Sequence, residues 1–65
     1  MVKLNFLKET LSHKGIKQAW LAEKLMVSKV TVNNWCSNRS QPSLETLNLI
    51  AEVIGVPVSD LVQKR

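Results

Sequence analysis

Sixty-five residues leave room for one domain with a small core, so short connections and well-formed helices must carry much of its stability. Apolar residues make up 45% of the chain, too many for a disordered segment, yet no apolar run is long enough to span a membrane and no signal-peptide h-region opens the sequence. The single Cys36 excludes an internal disulfide and, with the single His13, the usual structural zinc sites; with a net charge of +4, a basic, soluble, cytoplasmic chain is expected.

Residues 3–13 predict a first helix, with Leu4, Leu7 and Leu11 on one stripe and Phe6 beside it. His13 and Lys14 suit its C-terminal end, and Gly15 supplies the left-handed stop. Ile16 anchors the connection to a second helix over residues 18–25, whose inner face is Leu21, Ala22 and Leu25. Trp20 points away from that face. Two readings stay open for it: a ring laid over neighbouring side chains, or a contact with a protein partner.

Met26 and Val27 form a tight turn. Ser28 then caps a third helix, about residues 28–36, with Val32 and Trp35 inward. Val30, Thr31 and Val32 are poor helix formers, so propensity alone favours a strand there. The cap and the short turn favour the helix. Lys29, Val30, Asn33 and Asn34 are left facing outward or sideways.

Residues 37–42 read as a loop, where Asn38 tolerates a left-handed backbone better than most residues. Ser43 caps a fourth helix with the stripe Leu44, Leu47, Ile50, Ala51 and Ile54, stopped by Gly55. A short fifth helix follows over residues 58–63 with Leu61 inward, and residues 63–65 are read as frayed. Residues 1–65 are thus one all-α domain.

The charge is unevenly placed. Residues 1–42 hold six Lys and one Arg against Glu9 and Glu23, whereas residues 43–65 are slightly acidic. That asymmetry fits a polyanion such as nucleic acid and, equally, a solvated basic surface. Enzyme chemistry has little support: the carboxylates are scattered, no Gly-rich phosphate loop is present, and His13 has no nucleophile or acid near it in sequence. No cofactor is expected. The outer face of the third helix does carry groups that suit base edges. Asn can pair with adenine, Lys can donate to guanine, and Val can meet the thymine methyl.

Gln18, LAEKL at 21–25, VS at 27–28, Val32, Trp35, QPSLETL at 41–47, IAEVIGV at 50–56 and DLV at 60–62 together resemble the phage repressor/Cro-like (XRE) helix-turn-helix family. The resemblance implies a compact five-helix, lambda-repressor-like DNA-binding domain with its helix-turn-helix in helices 2 and 3. It implies a transcriptional regulator, a repressor by preference, bound as a homodimer to a near-palindromic double-stranded operator. Base contacts then fall to Lys29, Val30 and Asn34, and phosphate contacts to Lys17, Gln18, Ser28, Asn33, Asn38 and Arg39. Gln18 is also expected to brace helix 3. Helix 5, with Val58, Val62 and Val53, is the expected dimer surface. A second class of function is an antitoxin-like or accessory protein-binding module, with Trp20 as its contact.

Four positions depart from the family pattern. Met26 and Asn38 stand where Gly is common, and Leu11 with Cys36 replace a frequent Arg–Glu pair. Apolar packing in place of a buried ion pair is expected to be tolerated.

Overall fold

The computed structural model describes residues 4–62. Among them are five helices and no strand: α1 Leu7–Lys14, α2 Gln18–Leu25, α3 Lys29–Cys36, α4 Leu44–Ile54 and α5 Ser59–Val62. The expected end of helix 5 at residue 63 and the frayed tail at 63–65 lie outside the described residues. So does residue 3, the expected start of helix 1. No helix of the described residues is long and apolar enough to cross a membrane.

The apolar stripes converge on one cluster. Leu7 and Leu11 come from α1, Leu21 and Ala22 from α2, and Val32, Trp35 and Cys36 from α3. Leu47, Ile50, Ala51 and Ile54 complete it from α4, with Leu61 from α5. Ile16, Leu25 and Val27 pack against it half-buried. Leu11 and Cys36, in the places of the family's frequent ion pair, are both core residues. Burial pushes the Cys36 thiol above its ordinary range, against a smaller downward pull from Lys8.

Two expected core positions are corrected. Leu44 is 72% exposed although it continues the α4 stripe. It is the first residue of that helix, and a helical side chain leans toward the N-terminus, so Leu44 projects past the end of the core. Leu4 is also exposed, because α1 begins at Leu7 and residues 4–6 are not helical. The physical reason is a set of competing hydrogen bonds. The Asn5 side-chain oxygen accepts from the Leu7 amide at 2.9 Å, and the Phe6 amide donates to the Leu61 carbonyl at 2.7 Å. Together with the Leu4 and Asn5 amides, which donate to the Asn38 side chain, these pairings hold the segment against the α3–α4 loop and α5 rather than in a first helical turn.

Left-handed residues end three of the helices. Gly15 (φ 69°) stops α1 and Gly55 (φ 75°) stops α4. Met26 does the same for α2 at φ 59°, ψ 41°, and the amides of Met26 and Val27 close back onto Glu23 and Ala22 at 3.2 and 3.0 Å. Met26 is 92% exposed, so its side chain adds almost no packing to offset a backbone strain of about 1 kcal/mol. Met26→Gly is therefore expected to leave the melting temperature unchanged or raise it by up to about 5 °C, the extra freedom of Gly in the unfolded chain absorbing part of the gain. A clear fall in thermal denaturation would show that the Met26 side chain does stabilise the turn.

Candidate nucleic-acid interface

The α2–turn–α3 unit is the most extensively packed helix pair. Its second helix forms against its own propensity because both its start and its inner face are secured. The Ser28 hydroxyl accepts from the Thr31 amide at 3.0 Å and also pairs with the Thr31 hydroxyl at 2.9 Å. Val32 and Trp35 are buried one turn apart, and tertiary packing overrides the β-branched run. Ser28 thus has its hydroxyl engaged within α3, whatever else it meets.

The outward side of α3 is largely exposed. Lys29 and Asn33 are exposed, Val30 is 68% exposed, and Asn34 is half-buried. The two neighbouring asparagines differ in one respect. Asn33 donates from its amide to Gln18 at 3.3 Å, whereas the Asn34 side chain has no hydrogen-bond partner among the described residues. The Asn33–Gln18 bond joins α3 to the first turn of α2, so Gln18 braces α3 as expected. It uses the Gln18 oxygen and leaves that side chain's amide nitrogen able to donate.

The N-termini of the helices are not equivalent. Ser28 caps α3 and Ser43 caps α4 through amide bonds of 3.0 and 3.1 Å. α2 instead starts at Lys17 with no side-chain cap, so its first-turn amides stand beside an exposed lysine and Gln18 with no side chain accepting from them. Donors, a cation and the positive end of a helix dipole in one place suit an anion such as a phosphate.

The α3–α4 loop differs from the sequence expectation. Asn38 is left-handed at φ 58°, as its residue type allows. Its side chain, expected at phosphate, is turned into the fold. Its oxygen accepts from the Leu4 and Asn5 amides, both at 2.9 Å, and from the Gln41 amide nitrogen at 3.2 Å. Its nitrogen donates to the Asn5 carbonyl at 3.2 Å. The loop's backbone amides are engaged too: Ser37, Asn38 and Arg39 donate to Asn33, Trp35 and Asn34 carbonyls at 2.9–3.1 Å, and Ser40 shares the Asn34 carbonyl at 3.4 Å. What the loop offers outward is chiefly the exposed Arg39 side chain.

Asn5 is the residue that sequence reasoning missed. It is 2% exposed, the one buried polar residue among the described residues. The signal available was its type: Asn is a preferred residue just ahead of a helix, and it stands two positions before Leu7.

Outside this face, Trp20 is 41% exposed, and the Lys24 ammonium one turn on lies 5.4 Å from its ring centroid. That contact matches the reading of a ring laid among neighbouring side chains. His13 is an exposed residue in the last turn of α1. Among the described residues no group of His, Cys, Asp and Glu is arranged to hold a metal.

Two short helices crossing at a left-handed turn, the second with a solvent-facing polar side, define a helix-turn-helix unit. The chain belongs to the XRE-type helix-turn-helix family, whose pattern matches residues 7–61. It is 30% identical over 56 residues to the HTH-type transcriptional activator BcrR of Enterococcus faecalis, an alignment covering 86% of this chain and 28% of that protein. The chain thus spans less than a third of that relative's length. It is also similar to a crystal structure of a Bacteroides fragilis protein to which DNA binding is attributed. There the TM-score is 0.90 and the identity 42%, over 92% of this chain and 97% of that one.

Proposed function

We propose that this chain is a sequence-specific double-stranded-DNA-binding regulator of transcription that reads the major groove with α3. The observation that carries the proposal is the division of labour on the α2–α3 unit. Lys29 and Val30 are exposed on α3 and the half-buried Asn34 has no side-chain hydrogen bond among the described residues, while Gln18 ties that helix to the uncapped, basic start of α2. The first set suits base edges and the second suits the phosphate backbone. Lys17, Gln18 and Arg39 are the assigned phosphate contacts, flanked by Ser28 and Asn33. Asn38 supports the loop from inside. Membership of the family and the likeness to BcrR support the regulatory role.

Repression by occupying an operator is the mode that the family resemblance favours. A homodimer on a near-palindromic site, in the cytoplasm, completes the reading. Of the expected dimer residues, Val53 and Val58 are half-buried against the core, so Val62 is the exposed apolar residue of that end.

Selection of bound sites from random DNA at two salt concentrations tests the proposal. Enrichment of a motif with two symmetric half-sites about one helical turn apart is expected. Enrichment of no motif at either salt concentration overturns sequence-specific binding, and a lone asymmetric site overturns the dimer. Lys17→Ala is expected to weaken binding to all sequences and to reduce the slope of log affinity against log salt by about 1. An unchanged slope would remove Lys17 from the phosphate contacts.

A further inference from the structure

We propose that Asn5 is the positioning residue of the DNA interface: it fixes the α3–α4 loop so that Arg39 is held against the phosphate backbone beside α3. The inference rests on the DNA-binding reading above and adds to it a residue on the far side of the loop.

The bonds of Asn5 leave little freedom. Its side-chain nitrogen donates to the Trp35 carbonyl at 3.0 Å and to the Gln41 side-chain oxygen at 2.7 Å. Both of its amide hydrogens are thereby used. Its side-chain oxygen accepts from Leu7. Its own backbone amide and carbonyl pair with the oxygen and nitrogen of the Asn38 side chain, as one peptide group pairs with another across a strand ladder. One buried residue therefore grips the last turn of α3, the left-handed residue of the loop, and the start of the segment that leads into α4.

Arg39 follows directly from Asn38 and has, among the described residues, no such anchor of its own beyond its amide bond to the Asn34 carbonyl. Its position depends on Asn38 keeping φ near 58°, which the backbone amide and carbonyl of Asn5 support; the Asn5 side chain, bonded to the Trp35 carbonyl, Gln41 and the Leu7 amide, holds that backbone in place, and those side-chain bonds are what alanine removes. Because the amides of residues 37–40 already serve α3 carbonyls, they are not available as donors to phosphate. The contribution of the loop to DNA binding is concentrated in the Arg39 side chain, and Asn5 acts through it. Asn5 itself, buried and behind the loop, touches no DNA.

The test is a double-mutant cycle on the selected DNA site with Asn5→Ala, Arg39→Ala and the double variant, measured as affinity, salt slope and melting temperature. Arg39→Ala is expected to weaken binding about tenfold, the scale of one charge-assisted hydrogen bond, and to flatten the salt slope by about 1. Asn5→Ala, still folded at the assay temperature, is expected to do the same although it removes no charge. In the Arg39→Ala background, Asn5→Ala should weaken binding no further while still lowering the melting temperature in full. Equal fold-losses from Asn5→Ala in both backgrounds, or no loss in a folded Asn5→Ala protein, would overturn the inference. If Asn5→Ala does not fold, Gln41→Ala takes its place, since Gln41 is exposed and its loss opens no core. A smaller loss that vanishes in the Arg39→Ala background supports the inference, and unchanged binding ends it. A wild-type chain that binds no DNA sinks the DNA-binding reading itself; a chain that binds with additive losses sinks only the role of Asn5.

Discussion

Leu21→Ala is expected to lower the melting temperature by about 8–40 °C and to abolish DNA binding wherever the variant is unfolded. Leu21 is fully buried on the inner face of α2, in the one cluster to which all five helices contribute. Removing its isobutyl group forfeits burial and leaves a cavity, together worth about 2–5 kcal/mol. A chain of this size has a total stability of only about 3–10 kcal/mol. The cavity has few ways to close. α2 and α3 are joined by a single tight turn, and the neighbouring stripes end in fixed stops at Gly15 and Gly55. One kilocalorie corresponds to about 4–8 °C in a domain of this length, which sets the range. Circular dichroism during heating checks it. A drop of less than about 5 °C would show that α2 is not held by its inner face, and would undermine the packing on which the α3 position depends.

The elements that were legible in the sequence are those whose instructions are local. α4 carries a helical stripe between a Ser cap and a Gly stop, and it spans Leu44–Ile54 as that pattern dictates. α3 was legible through Ser28 and the Val32–Trp35 pair, even though three β-branched residues argue for a strand. The left-handed backbone at Met26 and Asn38 was legible because a family Gly is replaced there. The start of α1 was not. Leu4, Leu7 and Leu11 keep helical spacing, and the one local signal against it is Asn5, whose side chain accepts from the Leu7 amide. What interrupts it is a set of bonds from residues 4–6 to residues 35, 38, 41 and 61, which no periodicity encodes. The same long-range bonds explain why Asn38 reads as a surface donor in sequence yet turns inward in the fold. In the candidate site, exposure of Lys29 and Val30 follows from helix geometry alone. Their assignment to bases came from the family resemblance and the chemistry of their side chains.

Asn34→Ala is expected to separate specific from general DNA binding more cleanly than any other single change on α3. The affinity for the preferred site should fall by about 1–3 kcal/mol, roughly 5- to 150-fold, with little change on random DNA. The reason is the state of its amide. Asn34 has no side-chain hydrogen bond among the described residues, so its donor and acceptor are both available to adenine N6 and N7. The structural work of Asn34 is done by its carbonyl, which accepts from the Arg39 and Ser40 amides and is retained in alanine. Stability should therefore change by less than about 1 kcal/mol, as for other partly exposed substitutions away from a cap or network. The salt slope should not move, because no charge is removed. Asn33→Ala provides the contrast. It breaks the bond to Gln18 and loosens α3 against α2, so it should weaken preferred and random DNA by similar factors. Titrations of both variants on the selected site and on a scrambled duplex decide between them. Equal losses for Asn34→Ala on the two duplexes would remove Asn34 from the reading set and leave Lys29 and Val30 to carry the specificity.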